Sequence, residues 1–246
     1  MDVVLVVIPW LPGAAQGREL QHAVAGWRRH FKEPHRIIVV GEGVTGGVPK
    51  GAEAIESPRI AERDGMYRQH LDYVSCLKKV RKAFPESKGF VFVADDCYAV
   101  NDFDLVDVRC LKQAAVTFSG DEHSPNLWLR DKWRTAKALR DGGYKTRNCT
   151  THLPQWYEWD KIEEIWRRYD MENTSYTIED LYYNIYYPDR LFYQLTPNDN
   201  FKYGLNDSNI TADRIQSEMR RKIWLANSPP GWTTTLDEVL AEHYSI

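Results

Sequence analysis

The chain has 246 residues, enough for one large core with appended helices and short of two full domains. Its 32 Lys and Arg against 35 Asp and Glu leave a net charge of -3, which argues against the global basic field of a phosphate-neutralising nucleic-acid binder. Four cysteines without CxxC spacing give no sign of a zinc knuckle or a disulfide framework, so reduced, cytoplasmic thiols are the expectation.

Val3–Ile8 is a β-branched run closed by Pro9, which reads as a buried parallel strand. It is too short for a membrane span and has no basic leader, so neither a span nor a targeting signal is expected. Leu20, Ala23, Val24, Trp27 and Phe31 then recur at helical spacing, and Ile37–Val40 is a second apolar run, completing a βαβ unit. A weaker strand near Ala54–Ile55 precedes a long helix that carries Tyr67, Leu71, Val74, Leu77 and Phe84 toward the core. Phe90–Ala94 is the most apolar strand of the chain and breaks directly into Asp95-Asp96-Cys97-Tyr98. This alternation predicts an α/β fold with a mostly parallel sheet flanked by helices.

Further on, the pattern predicts a strand over Ala114–Phe118, a helix over Lys132–Arg140 and an extended segment over Asn148–Pro154. Helices over Asp160–Tyr169, Ile178–Tyr186 and Ala212–Leu225 follow, with a short last helix after Pro-Pro-Gly. The expectation is a single domain, with a first half over residues 1–120 and a helix-rich half over 121–246. Aromatics reach 13% and many lie among Asp, Asn and Arg in the second half, a mixture that suits sugar binding.

Ligands of open α/β sheets gather outside the carboxyl ends of the strands, which is where Asp95 and Asp96 fall. Two adjacent carboxylates after five apolar residues suffer desolvation and mutual repulsion, and a divalent cation relieves both. Mg²⁺ or Mn²⁺ held by one or two carboxylates plus substrate phosphate oxygens fits the pattern. There is no GxxxxGK[ST] for a P-loop, and no GxGxxG follows the first strand.

Phe90-Val91-Phe92-Val93-Ala94-Asp95-Asp96 resembles the strand-plus-DxD element of the GT-A class of nucleotide-sugar glycosyltransferases, with Ala-Asp-Asp in place of Asp-x-Asp. Thr151-His152-Leu153-Pro154 is similar to the local texture of Stealth-type sugar-phosphate transferases. The resemblance implies a Rossmann-like GT-A sheet and a metal-dependent hexosyl- or pentosyltransferase. The donor would be a nucleoside-diphosphate sugar, UDP-sugars favoured, and the acceptor a hydroxyl group on a glycan, with a modified DNA base kept open. Asp95 would face the ribose or a metal-bound water, and Asp96 would touch the cation. Nucleotidyl or sugar-phosphate transfer on the same fold, or non-catalytic carbohydrate binding, are the alternatives.

Other candidates group around this centre. Pro9 and Trp10 end the first strand, where the nucleotide base rests in the GT-A class, and Trp10 can stack on it. Arg63 and Arg68 open the long helix and can hold a phosphate or sugar hydroxyl through a planar fork. His152 is a candidate third metal ligand. Glu179 and Asp180 start a Tyr-rich helix, where one can take the acceptor's proton.

Overall fold

The computed structural model describes residues 3–10, 17–60, 69–114, 118 and 120–246. In chain order, β1 (Val4–Trp10), α1 (Glu19–His30), β2 (His35–Gly41), β3 (Ala52–Glu56), α2 (Gln69–Ala83) and β4 (Gly89–Phe92) form the first part. They are followed by β5 (Cys97–Ala99), α3 (Leu105–Arg109), β6 (Lys112–Gln113), α4 (Leu127–Asp141), β7 (Gln155–Glu158), α5 (Trp159–Arg168) and α6 (Ile178–Tyr186). The last elements are β8 (Tyr193–Gln194), β9 (Lys202–Leu205), α7 (Ala212–Met219), β10 (Trp224–Asn227) and α8 (Thr234–Tyr244).

The main sheet has the order β3-β2-β1-β4-β7. Its first four strands are parallel, and β7 is antiparallel to β4 at the edge. The fold is therefore α/β with a mostly parallel central sheet flanked by helices, as expected. Continuous apolar runs suit strands covered on both faces. Along β1, Leu5 and Val7 join one core with α2, α5 and α6, while Val4, Val6 and Ile8 join another around Trp27 of α1. The period-2 side-chain alternation of a strand thus feeds two cores from one sequence run.

Strand order also locates the site. From β1 the chain steps to β2 and β3 on one side, then returns to place β4 on the other side of β1. The carboxyl ends of β1 and β4 therefore border the topological switch point, where neighbouring connections leave in opposite directions and open a crevice. At that edge Gly41 lies so close to β1 that an added Cβ would stand 2.0 Å from the Trp10 carbonyl oxygen, so any larger residue would push the two strand ends apart.

The second half departs from expectation in two places. The helix expected over Ala212–Leu225 stops at Met219, and Trp224–Asn227 is instead the middle strand of a second sheet, β5-β10-β9. Buried Trp224 and Leu225 read as an amphipathic helix continuation, but their burial is satisfied by the strand. Asn148–Pro154 is irregular, and β7 begins only at Gln155. The expected strand over Ala114–Phe118 falls largely outside the described residues. The remaining helices lie within a few residues of their predicted positions, and Ile178–Tyr186 matches at both ends.

Candidate functional site

Asp95 and Asp96 occupy the two central positions of a tight turn closed by the Cys97 N–H donating to the Ala94 carbonyl at 3.3 Å. The turn carries the chain from β4 of the main sheet to β5 of the second. Its far side is pinned by the Asn227 N–H, which donates to the Asp96 carbonyl at 3.2 Å. A solvated turn would leave both carboxylates in water, yet both are only partly exposed. Burial and the neighbouring Asp96 push Asp95 up to about 7. Burial, with Glu19 adding repulsion, pushes Asp96 up to about 6. One Asp96 oxygen, Oδ1, is buried without a hydrogen-bond partner among the described residues.

Both acids line a cavity of about 200 Å³. Its wall includes Pro9 at the end of β1, Glu19 of α1, His70 and Tyr73 of α2, Trp128 of α4 and Glu179 of α6. Thr150, Thr151, His152 and Gln155 close it from the segment leading into β7, and Asn227 from β10. Four helices and two sheets thus converge on the switch point.

Glu179 stands in the first turn of α6 and is partly buried, with Oε2 unpaired among the described residues. Burial and the adjacent Asp180 push it up to about 7, the range in which a carboxylate exchanges protons at neutral pH. Asp180 is a different case and corrects the expectation that either acid could serve as base. It is fully buried, accepting from the Cys149 N–H at 2.6 Å, Thr150 Oγ1 at 2.9 Å and Thr177 Oγ1 at 2.6 Å, with Lys132 Nζ at 3.9 Å. Its oxygens are committed to holding the segment before β7 against α6. The Tyr-rich helix is likewise core rather than binding surface, since Tyr182 and Tyr183 are buried against Tyr157.

His152 lies on the cavity wall with a left-handed backbone, φ 51°, a strained conformation for a residue with a Cβ. The residue is exposed, yet desolvation by its neighbours and the charges of Lys202 and Lys132 lower its ring to about 4. Among the described residues no three His, Cys, Asp or Glu side chains are grouped closely enough to hold an ion by themselves. Pro9 is on the wall, whereas Trp10 is not among the lining residues and packs, partly buried, against the core around Trp27. Arg63 and Arg68 lie outside the described residues, as does the loop after Trp10.

Sequence reasoning missed His70, Trp128 and Lys202. Of the stripe expected on Tyr67, Leu71, Val74, Leu77 and Phe84, the last three are buried and Leu71 is partly so, while Tyr67 lies outside the described residues; His70 is buried on the same face, and a histidine at i, i+4, i+7 with Val74 and Leu77 was the available signal. Trp128 follows Asn126, whose side chain caps α4 by accepting from the Trp128 N–H, so a cap motif beside an aromatic marked it. Lys202 depends on the unforeseen β9; it donates to the Thr151 carbonyl at 2.6 Å, and its charge acts on Asp96.

No protein-family model and no curated protein matches the chain. Among solved structures it is similar to one described as a glycosyltransferase involved in the glycosylation of the major capsid of PBCV-1, at 12% identity and a TM-score of 0.41 over 100% of both chains. Among the described residues no helix is long and apolar enough to cross a membrane.

Proposed function

We propose that the chain is a glycosyltransferase that moves a sugar from a nucleoside-diphosphate sugar to a hydroxyl acceptor, with Mn²⁺ or Mg²⁺ held at Asp95 and Asp96. The observation that carries this reading is the acid turn itself. Two half-buried carboxylates, one with an orphaned oxygen, stand at the switch point of a mostly parallel sheet, in a cavity with no Lys or Arg on its wall among the described residues. A diphosphate brought there would meet the carboxylates of Asp95, Asp96, Glu19 and Glu179, and a cation held by the acids would turn that repulsion into attraction. Two carboxylates plus phosphate oxygens satisfy Mg²⁺ or Mn²⁺ without a third protein ligand.

The bound cation would supply Lewis-acid stabilisation of the departing nucleoside diphosphate. The chain's own residues do the rest. Pro9, at the end of β1, borders the place for the nucleoside, and a UDP-sugar is the favoured donor. Asp95 and Glu19 surround the reacting carbon with negative charge, which favours an oxocarbenium-like state. Glu179, deprotonated above about pH 7, accepts the proton of the attacking hydroxyl. Asp180 and Lys132 fix the backbone beneath it and touch neither partner. A glycan hydroxyl is the favoured acceptor.

The test is release of nucleoside diphosphate from a panel of UDP-sugars with Mn²⁺ and simple glycosides. Asp96→Ala is expected to abolish turnover while the circular dichroism spectrum stays native. Full activity in that variant overturns the reading, and release of nucleoside monophosphate or pyrophosphate moves the reaction to attack at phosphorus.

A further inference from the structure

We infer that the cavity is a pocket for a single uncharged, hydroxyl-bearing sugar ring, and that His70 is the residue that reads its hydroxyls; what the sugar is attached to rests on the glycosyl-transfer reading.

His70 is 4% exposed and lines the cavity, yet neither of its ring nitrogens has a hydrogen-bond partner among the described residues. A buried polar group left this way destabilises the free protein, and a ligand hydroxyl can supply the missing bond. The ring is held in place: it meets Tyr73 edge-on at 5.8 Å, Tyr73 meets Phe92 at 5.1 Å, and Gln69 donates to the Tyr73 hydroxyl. Burial keeps the imidazole neutral at pH 7 by lowering it to about 4, so it offers one N–H donor and one lone pair. That pairing matches a hydroxyl, which both accepts and donates, or two neighbouring hydroxyls.

The rest of the wall sets the charge and size of the occupant. Asp95, Asp96, Glu179 and Glu19 line the same cavity, so an acidic sugar would bring a carboxylate against carboxylates. Trp128 supplies an aromatic face for the apolar side of a pyranose. At about 200 Å³ the cavity falls below the roughly 300–1,000 Å³ of sites for drug-sized ligands and suits one ring.

Saturation-transfer NMR on the full chain tests this with methyl glucoside, its 2-deoxy and 3-deoxy analogues, and glucuronate. The proteins are the wild type, His70→Leu and His70→Gln, with UDP and Mn²⁺ titrated separately by calorimetry. Methyl glucoside is expected to bind the wild type, and glucuronate roughly tenfold more weakly or not at all. His70→Leu is expected to lose roughly tenfold in glucoside affinity, with UDP–Mn²⁺ binding unchanged. Gln carries both a donor and an acceptor, so His70→Gln should recover much of the loss. Equal glucoside binding by wild type and His70→Leu, equal binding of glucuronate, or no glucoside binding to the wild type overturns the inference. Should His70→Leu fail to fold, the deoxy analogues decide: removal of at least one of the two hydroxyls must weaken binding to the wild type, and unchanged binding of both analogues overturns it. Glucoside binding without any UDP–Mn²⁺ binding would instead discard the donor reading and leave the sugar pocket standing.

Discussion

Glu179 and Asp180 are adjacent acids on one helix turn, and the fold uses them in opposite ways. Asp180 is fully buried and saturated: three donors lie within 2.9 Å and a lysine stands behind them. Glu179 faces the cavity with an oxygen that has no partner among the described residues, and it resembles Asp96 across the site in that respect. A buried charge with its partners supplied by the chain is architecture, whereas one left short of partners awaits something the chain does not contain. Neighbours in sequence can therefore differ completely in role, and counting partners separates them where spacing cannot.

The largest expected effect sharpens that contrast at Glu179. Glu179→Gln is expected to lower kcat by about 10²–10⁴, the usual worth of a positioned base, with donor KM little changed. Because the working form is the carboxylate, wild-type kcat should rise with pH through about 7 and level off above it. The variant should lose that limb, and a profile with the same limb in both proteins would remove Glu179 from the chemistry. The stability sign is opposite to the activity sign. A folded pKa above the unfolded value favours the fold below about pH 4, and the advantage is lost as pH rises through about 7, so Glu179→Gln should melt later than wild type at pH 8.

Asp180→Ala should do the reverse and damage the fold. It strands the Cys149 N–H, two threonine hydroxyls and the buried Lys132, and removing one partner of a buried charged network costs about 3–5 kcal/mol. Urea unfolding measures this directly, and a loss below about 1 kcal/mol would show that these partners find water or each other. Lys132 also donates to Asn148 Oδ1 at 2.5 Å, so Asp180→Asn should be milder than the alanine.

Much of this is legible in the sequence itself. The parallel sheet followed from unbroken β-branched runs, since strands covered on both faces need apolar residues at every position. The acid turn was legible too, because carboxylates directly after such a run stand at a sheet edge wherever the strand ends. What did not show were features that depend on distant pairing. β10 joins β5 and β9, more than 100 residues apart in sequence from one end to the other, and nothing within Trp224–Asn227 distinguishes a buried strand from the end of an amphipathic helix. The split between Glu179 and Asp180 was hidden for the same reason: the donors that claim Asp180 come from Cys149 and Thr150, about 30 residues away.

Ligand-linked stability gives the next effect in size. UDP with Mn²⁺ at about a hundredfold above Kd should stabilise the wild type by about 2.7 kcal/mol, read as a rise in Tm, and either component alone should do far less. Asp180→Asn, if folded, should keep this response, because Asp180 belongs to the scaffold. Asp96→Asn should lose it. A metal-independent rise of the same size would separate nucleotide binding from the acid turn.

The smallest effect is the most discriminating, since it runs against the usual outcome of mutation. Asp96→Asn, without ligand at pH 8, should stabilise the fold by about 1 kcal/mol. The change removes a desolvated charge and its repulsion with Asp95 and Glu19, while an amide still fills the turn and can accept from the backbone. Most substitutions at partly buried positions destabilise, so a gain here would mean that Asp96 is kept at a cost to the free protein. A loss comparable to that of Asp180→Ala would instead make Asp96 a structural acid like Asp180, and the distinction drawn from their partners would fail.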